Sequence, residues 1–392
     1  MFKKQKLRIG VIGSTGSVGK TSLSIISKYE NLFKVDLLVC GENYKLAKTQ
    51  VEKYTPKYVY ASNEKTYNYL KKKFLKKKIY FFNDFNLFKK SINLKFDKII
   101  LAIPGVEGLK FAFLFAEFSR ELLIANKESI ICGGKILLNY ASGKKCKIKS
   151  IDSEHYCIQE SIKDDNLINI DSVYLTASGG PFLGMAKNLY SKAKVANVVN
   201  HPNWKMGKKI SVDSATMSNK ILELIEAHIL FLIPIKKLKI KIHKESLVHS
   251  SIVYKNGLVK MIMHDTSMRI PIRNSLFENN FYKQKKNLFK TSKNLCLNFN
   301  EENLFQFPIL PTGYNVLKLG PSAWILFIVF NDYLVNKFLN NEIFFYQIVK
   351  NLVKIFKIKS VLNYCNKKVN NIKDIYNIID DGEKIIKNYE IT

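Results

Sequence analysis

The chain has 392 residues, enough for two or three domains with a sizeable hydrophobic core. Its formal net charge of +31 is carried by lysines spread along the whole sequence. A nucleic-acid-binding surface would concentrate this charge on one element. Because Asn, Ile, Phe and Tyr are also abundant, we attribute the charge mainly to AT-rich codon usage and expect no nucleic-acid partner, although anionic substrates would still be attracted.

The cysteines and the apolar segments indicate the compartment. Six cysteines without Cys-x-x-Cys spacing favour reduced thiols over disulfides or a zinc site. The apolar run 324–330 is far shorter than the ~20 residues of a membrane span, and residues 1–7 are too short for a signal peptide or a plastid leader. We therefore expect no membrane partner and a cytoplasmic protein of bacterial or endosymbiont-like type, with a plastid location only if a leader has been removed.

Residues 1–150 alternate short apolar runs with helical patterns. This alternation predicts an α/β fold with a parallel sheet, a Rossmann-like dinucleotide-binding domain. We expect strands at 8–12, 35–39, 58–61, 98–102, 122–125 and 147–151.

The remainder divides into three further segments. Residues 151–290 predict a central α+β catalytic domain, with strands at 172–177, 238–242, 247–254 and 258–264. Residues 291–312 are irregular and predict a linker, and residues 313–392 show the periodicity of a C-terminal helical domain.

A glycine-rich loop, GSTGSVGKT at residues 13–21, follows the first predicted strand. A phosphate-binding P-loop would need its first glycine where Ser14 stands. The spacing of Gly13, Gly16 and Gly19 instead favours a dinucleotide-binding turn, with pyrophosphate over the helix N-terminus.

The nicotinamide cofactor is less clearly indicated. Glu42 follows the second strand, where an acidic residue commonly binds the ribose 2′-hydroxyl of NAD. Glu42 therefore favours NAD, but Lys45 and Lys48 are close enough to suit the 2′-phosphate of NADP, so both cofactors remain open at this point.

The most informative segment is HPNWKMGKKISVDSATMSNKILELIE at residues 201–226, which combines an imidazole, an indole, hydroxyls, an amide, lysines and carboxylates. A helix over 219–229 would put Asn219 and Glu223 on one face beside Lys220. We expect Asp213 or Ser214 to cap this helix, at an N-terminus that attracts anions. The segment suits a phosphorylated molecule beside a metal, or else an amphipathic helix with a polar face.

A pair of carboxylates follows the strand predicted at 147–151. Asp152 and Glu154 are two residues apart, so on a continued strand they point the same way and repel unless a cation lies between them. Oxygen ligands favour Mg²⁺ or Mn²⁺ over zinc, and Glu223 is a natural third ligand. The alternative is a solvated strand end.

Six ordered motifs carry a family resemblance. They are the glycine loop, ANKES at 125–129, DSEH at 152–155, SGGPF at 178–182, HPNWKMG at 201–207 and the polar start of the helix at 214–223. The chain resembles the 1-deoxy-D-xylulose 5-phosphate reductoisomerase family over most of residues 8 to about 280, whereas the last hundred residues match poorly.

The resemblance implies an NADP-dependent oxidoreductase and isomerase of isoprenoid precursor biosynthesis. It would convert 1-deoxy-D-xylulose 5-phosphate, a small sugar phosphate, to 2-C-methyl-D-erythritol 4-phosphate. The family uses NADPH and a divalent metal, for which we expect Mg²⁺ or Mn²⁺, with Co²⁺ as an alternative. It also implies a homodimer.

The resemblance further implies roles for individual residues. The metal ligands would be Asp152, Glu154 and Glu223, and Lys127 and Ser153 would contact the reacting end of the substrate. The phosphate would be bound by Ser178, Ser214, Asn219 and Lys220. His201 and Trp204 would belong to a mobile flap near 200–208 that covers the substrate. The cofactor would be lined by Thr15, Gly16, Ser17, Val18, Gly41, Glu42, Asn43, Asn126, Glu128 and Gly207.

Three departures from the family pattern stand out. Glu42 occupies a position that is basic in many members, and Ile221 replaces the glycine that usually follows the phosphate-binding lysine. The C-terminal pattern Asn-Ala-Ala-Asn-Glu is reduced to Phe330-Asn331-Asp332. Two rival hypotheses are a P-loop kinase, against which the misplaced glycine argues, and a nucleic-acid-binding protein with an inactive enzyme fold, against which the acidic trio argues.

Overall fold

The computed structural model describes residues 5–186, 191–204, 206–277 and 295–392. These residues form two compact units that the chain enters more than once. The described part of unit 1 comprises residues 5–129, 137–152 and 268–277. The described part of unit 2 comprises residues 130–136, 153–186, 191–204, 206–267 and 295–392.

Unit 1 is built on a seven-stranded sheet in which all neighbouring strands are parallel. Its order β4-β3-β2-β1-β5-β6-β7 contains the doubly wound order of dinucleotide-binding sheets, extended by one edge strand. The Rossmann-like prediction is confirmed. The strands are β1 (Leu7–Ile12), β2 (Phe33–Cys40), β3 (Tyr58–Ala61), β4 (Tyr80–Phe82), β5 (Phe96–Leu101), β6 (Ser119–Ile124) and β7 (Lys147–Ser150).

Helices connect these strands. In chain order they are α1 (Ser17–Ile26), α2 (Tyr44–Tyr54), α3 (Glu64–Lys73), α4 (Phe85–Ser91), α5 (Gly108–Phe118) and α6 (Lys127–Gly143), which is interrupted at Gly134. The central strands are buried and nearly continuous in apolar residues, as expected of a parallel sheet that is covered on both faces.

A later helix, Arg269–Phe277, also belongs to unit 1. Its Ile272, Leu276 and Phe277 are buried in the same core as Val11 and Leu38. This differs from the sequence analysis, which placed the segment with residues 151–290. Hydrophobic contact with a distant part of the chain determines its position, and the order of residues does not reveal it.

Unit 2 contains a four-stranded sheet of order β11-β10-β8-β9. Its strands are β8 (Ile170–Ala177), β9 (Leu238–Ile242), β10 (Val248–Tyr254) and β11 (Val259–Met263). β10 is antiparallel to β8 and β11, whereas β8 and β9 are parallel. The predicted strands of this segment therefore all occur, with small shifts at their ends.

The helices of unit 2 between residues 153 and 231 carry most of the polar motifs. They are α7 (Ser153–Ile162), the short α8 (Val195–Val198), α9 (Lys208–Thr216) and α10 (Ser218–Phe231). The Arg269–Phe277 helix of unit 1 is α11.

The C-terminal part is helical, as predicted, and its first helix begins earlier than expected. It consists of α12 (Ile309–Leu319), α13 (Pro321–Leu339), α14 (Phe345–Ile355), α15 (Lys359–Cys365) and α16 (Ile372–Lys387). The predicted linker at 291–312 overlaps α12, and Asn300 forms a β-bridge with Ile242. Residues 278–294 lie outside the described part, as does Lys205 of the predicted flap.

One described helix, α13, is long and apolar enough to cross a membrane by length and composition. However, 72% of its apolar window is buried inside the protein, and core helices of soluble proteins pass the same test. This is weak evidence for a membrane span.

Candidate active site

The glycine loop between β1 and α1 is shaped by close backbone contacts. Gly13 has a φ of +83°, and a Cβ there would lie 2.6 Å from the carbonyl oxygen of Ala102. A Cβ on Gly19 would lie 2.3 Å from the carbonyl oxygen of Gly13. Both positions require glycine, which brings the strand, the turn and the start of α1 into direct contact. Thr15, Gly16, Ser17 and Val18 lie at this turn, where the first backbone N–H groups of a helix can bind an anion.

The end of the neighbouring strand β2 lies at the same edge of the sheet, since β1 and β2 are parallel. Gly41, Glu42 and Asn43 follow it, and Glu42 is exposed. The Asn43 side chain accepts a hydrogen bond from the backbone N–H of Leu46 at 3.1 Å and caps α2. Parallel strands in open α/β sheets present their ligand sites at this edge.

Asn126 and Glu128 have clear structural functions. The Nδ2 of Asn126 donates to the carbonyl oxygens of Ile103 (2.6 Å) and Gly105 (2.9 Å) and to Glu128 Oε2 (3.1 Å). Its Oδ1 accepts from the N–H of Ser129 and caps α6. Asn126 thus fixes the loop after β5, which lies at the same edge of the sheet, and its contact with cofactor stays a prediction.

Lys127 and Asp152 form an ion pair inside unit 1. The distance from Lys127 Nζ to Asp152 Oδ1 is 3.5 Å, and both side chains are largely buried. Lys127 begins α6 at the carboxyl end of β6. A buried ammonium at this edge is well placed to stabilise negative charge on a ligand.

The predicted strand geometry of Asp152 and Glu154 is wrong. β7 ends at Ser150, and Ser153 begins α7, so Glu154 lies in the first turn of a helix. Acidic residues favour that position because backbone N–H groups at a helix N-terminus carry partial positive charge. The two carboxylates remain neighbours through the chain, since residues two apart span at most about 7 Å.

A buried cluster joins α7 and α10 within unit 2. Lys220 Nζ lies 2.8 Å from Glu154 Oε1 and also donates to Glu223 Oε2. Asn219 Nδ2 donates to the other carboxylate oxygen of Glu223. The prediction that Asn219, Lys220 and Glu223 share one face of a helix is therefore confirmed.

The charges of this cluster depend on one another. Burial by itself would lower the pKa of Lys220, but Glu154 and Glu223 raise it overall, so that the amine stays charged. The Lys220 ammonium thus pairs with two carboxylates that are predicted metal ligands. Its ammonium demonstrates that the two carboxylates can share one cation.

The predicted cap of α10 is also wrong. Asp213 and Ser214 lie inside α9, and α9 joins α10 at Met217, which has a left-handed φ of +68°. A non-glycine residue in that conformation gives little sequence signal for a break between helices. Ser214 and Asn219 are only partly buried, whereas most of the residues around this corner are buried.

Ser178 and His201 form a defined hydrogen-bonded pair. His201 Nδ1 accepts from the backbone N–H groups of Asn203 and Trp204, both at 3.1 Å. Burial lowers the pKa of His201, so the neutral ring carries its proton on Nε2 and donates to Ser178 Oγ at 2.9 Å. Because Ser178 Oγ also accepts from the N–H of Gly180, its own hydrogen can be donated to a ligand.

The predicted flap is held by several contacts. Asn203 Nδ2 donates to Ser246 Oγ at 3.1 Å, and the Trp204 ring meets His249 edge-on at 5.7 Å between centroids. Gly207 precedes α9 in extended conformation. The contact between Trp204 and His249 could not be anticipated from the sequence, because the two residues are far apart in the chain.

The departure at Ile221 has a structural counterpart. A Cβ on Gly313 of α12 would lie 2.3 Å from Ile221 Cδ1 and 2.4 Å from its Cγ1. The absence of a side chain at Gly313 therefore makes room for the large residue beside Lys220.

Comparisons with known proteins identify the family of the chain. Sequence models described as 1-deoxy-D-xylulose 5-phosphate reductoisomerase and its C-terminal domain match residues 9–134 and 148–231, and one described as DXP reductoisomerase C-terminal domain matches residues 263–384. The chain belongs to the 1-deoxy-D-xylulose 5-phosphate reductoisomerase family. The poor match expected of the last hundred residues is thereby wrong.

Whole-length relatives bear out the assignment. The reductoisomerase of Pelagibacter ubique is 36% identical over 377 residues, covering 95% of this chain and 97% of the relative. That of Wolbachia pipientis wMel is 36% identical over 379 residues, covering 95% and 94%.

Solved structures of the family are similar throughout the chain. A DOX-P reductoisomerase in complex with NADPH, fosmidomycin and magnesium superposes with a TM-score of 0.90 at 28% identity, covering 97% of each chain. The Zymomonas mobilis enzyme in complex with NADPH gives 0.86 at 26% identity, covering 98% of this chain and 100% of the other.

Proposed function

We propose that this protein catalyses the NADPH-dependent reductive isomerisation of 1-deoxy-D-xylulose 5-phosphate to 2-C-methyl-D-erythritol 4-phosphate. The observation that carries the proposal is the cluster of Glu154, Lys220 and Glu223 beside the partly exposed Ser214 and Asn219. It combines carboxylates for a metal, on α7 and α10, with donors for a phosphate, on α9 and α10, in a chain of the reductoisomerase family.

The residues present fit a dinucleotide at the edge of the unit 1 sheet. The glycine loop would present the first backbone N–H groups of α1 to the pyrophosphate, because Gly13 and Gly19 let the strand, the turn and the helix pack closely. We propose NADPH as the cofactor, since solved relatives bind it. The exposed Glu42 would then have to turn away from the 2′-phosphate, for which Lys45 at the start of α2 is a candidate partner.

The acidic residues fit a divalent cation. Asp152, Glu154 and Glu223 would hold Mg²⁺ or Mn²⁺, and the Lys220 ammonium between two of these carboxylates is a stand-in for such a cation. When bound, the metal supplies Lewis-acid polarisation of the substrate's carbonyl and hydroxyl oxygens.

The chain's own side chains would bind and orient the substrate. Ser178, Ser214, Asn219 and Lys220 would neutralise the phosphate and anchor the substrate in the site. Lys127 would stabilise negative charge that develops on the reacting oxygens, and Ser153 would contact them. Trp204 would exclude water, while His201 would hold the Ser178 hydroxyl in position to donate.

We also propose that the protein is a homodimer. β11 is at one end of its sheet, and Leu258, Val259 and Met261 at this edge are exposed. An exposed apolar edge strand is a template for pairing with a second copy. Sedimentation of the wild type should give a dimer, and Met261→Lys should shift it toward the monomer. A monomeric wild type would overturn this part of the proposal.

A cytoplasmic location is proposed from the cysteines. All six cysteines lie within the described residues and none is in a disulfide, and Cys296 is the exposed one. Fluorescence of a tagged full-length chain in the source cells would test this, and signal outside the cytoplasm would contradict it.

The activity is tested by nicotinamide absorbance. We expect NADPH oxidation with 1-deoxy-D-xylulose 5-phosphate and Mg²⁺, abolished by a chelator, with NADH much less effective. Proton and carbon NMR of the product should show the rearranged skeleton. Folded protein that oxidises neither cofactor with this substrate would refute the proposal.

A further inference from the structure

A buried hydrogen bond joins the C-terminal helix α13 to α9. Asn331 Nδ2 donates to Asp213 Oδ1 at 2.7 Å, and the two residues are 0% and 1% exposed. A carboxylate that is removed from water needs such donors, because its desolvation is costly. Asn331 is the middle residue of the segment in which the sequence departs from the family pattern.

A second contact lies next to the first. Lys209 Nζ lies 3.0 Å from Asp213 Oδ2 and 2.9 Å from Asp332 Oδ1. Two consecutive residues of α13 therefore hold α9 at both oxygens of Asp213, one directly and one through Lys209. We call Asn331, Asp332, Lys209 and Asp213 the α9 clamp.

The α9 clamp lies where the proposed phosphate ligands converge. Ser214 is the next residue after Asp213, and the turn at Met217 leads directly to Asn219 and Lys220. The Ser178–Gly180 loop packs on the same helix, since a Cβ on Gly180 would lie 2.9 Å from the Cα of Ala215. A rotation of α9 would move all of these groups relative to one another.

We propose that Asn331 is a positioning residue, which acts through Asp213 to fix the Ser214 hydroxyl and the α9–α10 corner for a phosphate-bearing substrate. This inference rests on the proposed function of the site. It assigns α13 an effect on substrate affinity, although no residue of α13 is proposed to touch the substrate.

The expected kinetic effect follows from where the phosphate lies. It is remote from the reacting atoms, so its contacts are made equally in the ground state and the transition state. Loss of such contacts raises KM and leaves kcat nearly unchanged. A general loss of stability would instead reduce the active fraction and lower the apparent kcat at constant KM.

The test uses Asn331→Leu, which removes the donor at similar volume. We expect KM for 1-deoxy-D-xylulose 5-phosphate to rise about tenfold with kcat changed less than about twofold. Binding of inorganic phosphate, measured by calorimetry, should weaken in parallel. The control is Asn351→Leu, because Asn351 is also fully buried and hydrogen-bonded on α14 but outside the clamp. It should lower the melting temperature without changing KM.

A reciprocal exchange keeps the test decisive if Asn331→Leu fails to fold. Asp213→Asn should raise KM, and adding Asn331→Asp should restore it, because donor and acceptor are exchanged across the same contact. An unchanged KM in Asn331→Leu, an equal rise in Asn351→Leu, or no recovery in the exchanged pair would each overturn the inference. A wild type that binds phosphate but oxidises no NADPH would instead refute the proposed function alone.

Discussion

The contact between Ile221 and Gly313 predicts the sign of a glycine substitution. In most exposed helical sites Gly→Ala stabilises a protein by about 1 kcal/mol, because alanine has the higher helix propensity. At Gly313 the new Cβ would lie 2.3 Å from Ile221 Cδ1 and 2.4 Å from Cγ1, well inside normal contact. Overpacking of this kind costs about 1–3 kcal/mol. We therefore expect Gly313→Ala to be neutral to destabilising, by up to about 2 kcal/mol after the two effects are combined.

Thermal unfolding followed by calorimetry measures this difference. A destabilisation of 1–2 kcal/mol lowers the melting temperature by roughly 2–8 °C in a unit of this size. Gly143→Ala is the matched control, because no atom lies within 4 Å of a Cβ on that helical glycine. It should leave the melting temperature unchanged or raise it.

A double-mutant cycle separates the contact from propensity. Ile221→Ala alone creates a cavity and should cost about 2–5 kcal/mol. The double variant Ile221→Ala/Gly313→Ala should lose less free energy of unfolding than the sum of the losses in the two single variants. The coupling energy should exceed about 0.5 kcal/mol. Strict additivity, or a Gly313→Ala variant more stable than the wild type, would refute the packing argument.

Three further predictions concern protonation and hydrogen bonds. Burial and the stacked His264 lower the pKa of His249 from 6.5 to about 3, so below pH 6.5 the unfolded chain binds more protons than the folded one and the free energy of unfolding falls as the pH drops toward 3. The loss of stability is on the order of 2 kcal/mol by pH 5. Melting curves of His249→Gln should lack most of this pH dependence. His201→Asn and Ser178→Ala should each raise the KM for the sugar phosphate at least tenfold, and the KM of the double variant should not exceed the larger single-variant value. A KM increase in the double variant equal to the product of the two single increases would show that the residues act separately. Lys98→Met should destabilise unit 1 by about 3 kcal/mol, because it leaves the buried Glu121 with Lys149 alone; a melting temperature within 2 °C of wild type would contradict this.

The parallel sheet could be predicted closely from the sequence. Its strands are short, continuous apolar runs bounded by polar segments, which is the pattern of strands buried on both faces. β4 (Tyr80–Phe82) was missed because it has three residues that are all partly exposed. A strand so short has no alternation to detect.

Within the candidate site, the sequence predicted side-chain spacing on one helix correctly, whereas two predictions about the local backbone were wrong. The helical spacing of Asn219 and Glu223 gave the correct face, since side chains four apart on a helix are neighbours. Two local interpretations failed, at the start of α7 and at the corner at Met217. In both places a polar residue that favours a helix start or a turn was assigned to the wrong element.

Long-range pairs could not be predicted from one sequence. Gly313 and Ile221 are separated by more than ninety residues, as are Asn331 and Asp213. Periodicity describes only the elements in which such residues lie. Which partners meet depends on how the helices pack, and the structure supplies that information.

The central claim is that Glu223 belongs to a carboxylate cluster that binds the metal of a reductoisomerase. The most direct test is the Mg²⁺ dependence of NADPH oxidation with 1-deoxy-D-xylulose 5-phosphate in Glu223→Gln and in Glu226→Gln. Glu226 is an equally buried glutamate on the same helix, and its carboxylate lies 3.6 Å from His155 Nδ1. We predict that Glu223→Gln raises the Mg²⁺ concentration for half-maximal activity at least a hundredfold or abolishes activity, while Glu226→Gln keeps the wild-type Mg²⁺ dependence. Wild-type metal dependence in Glu223→Gln would contradict the account.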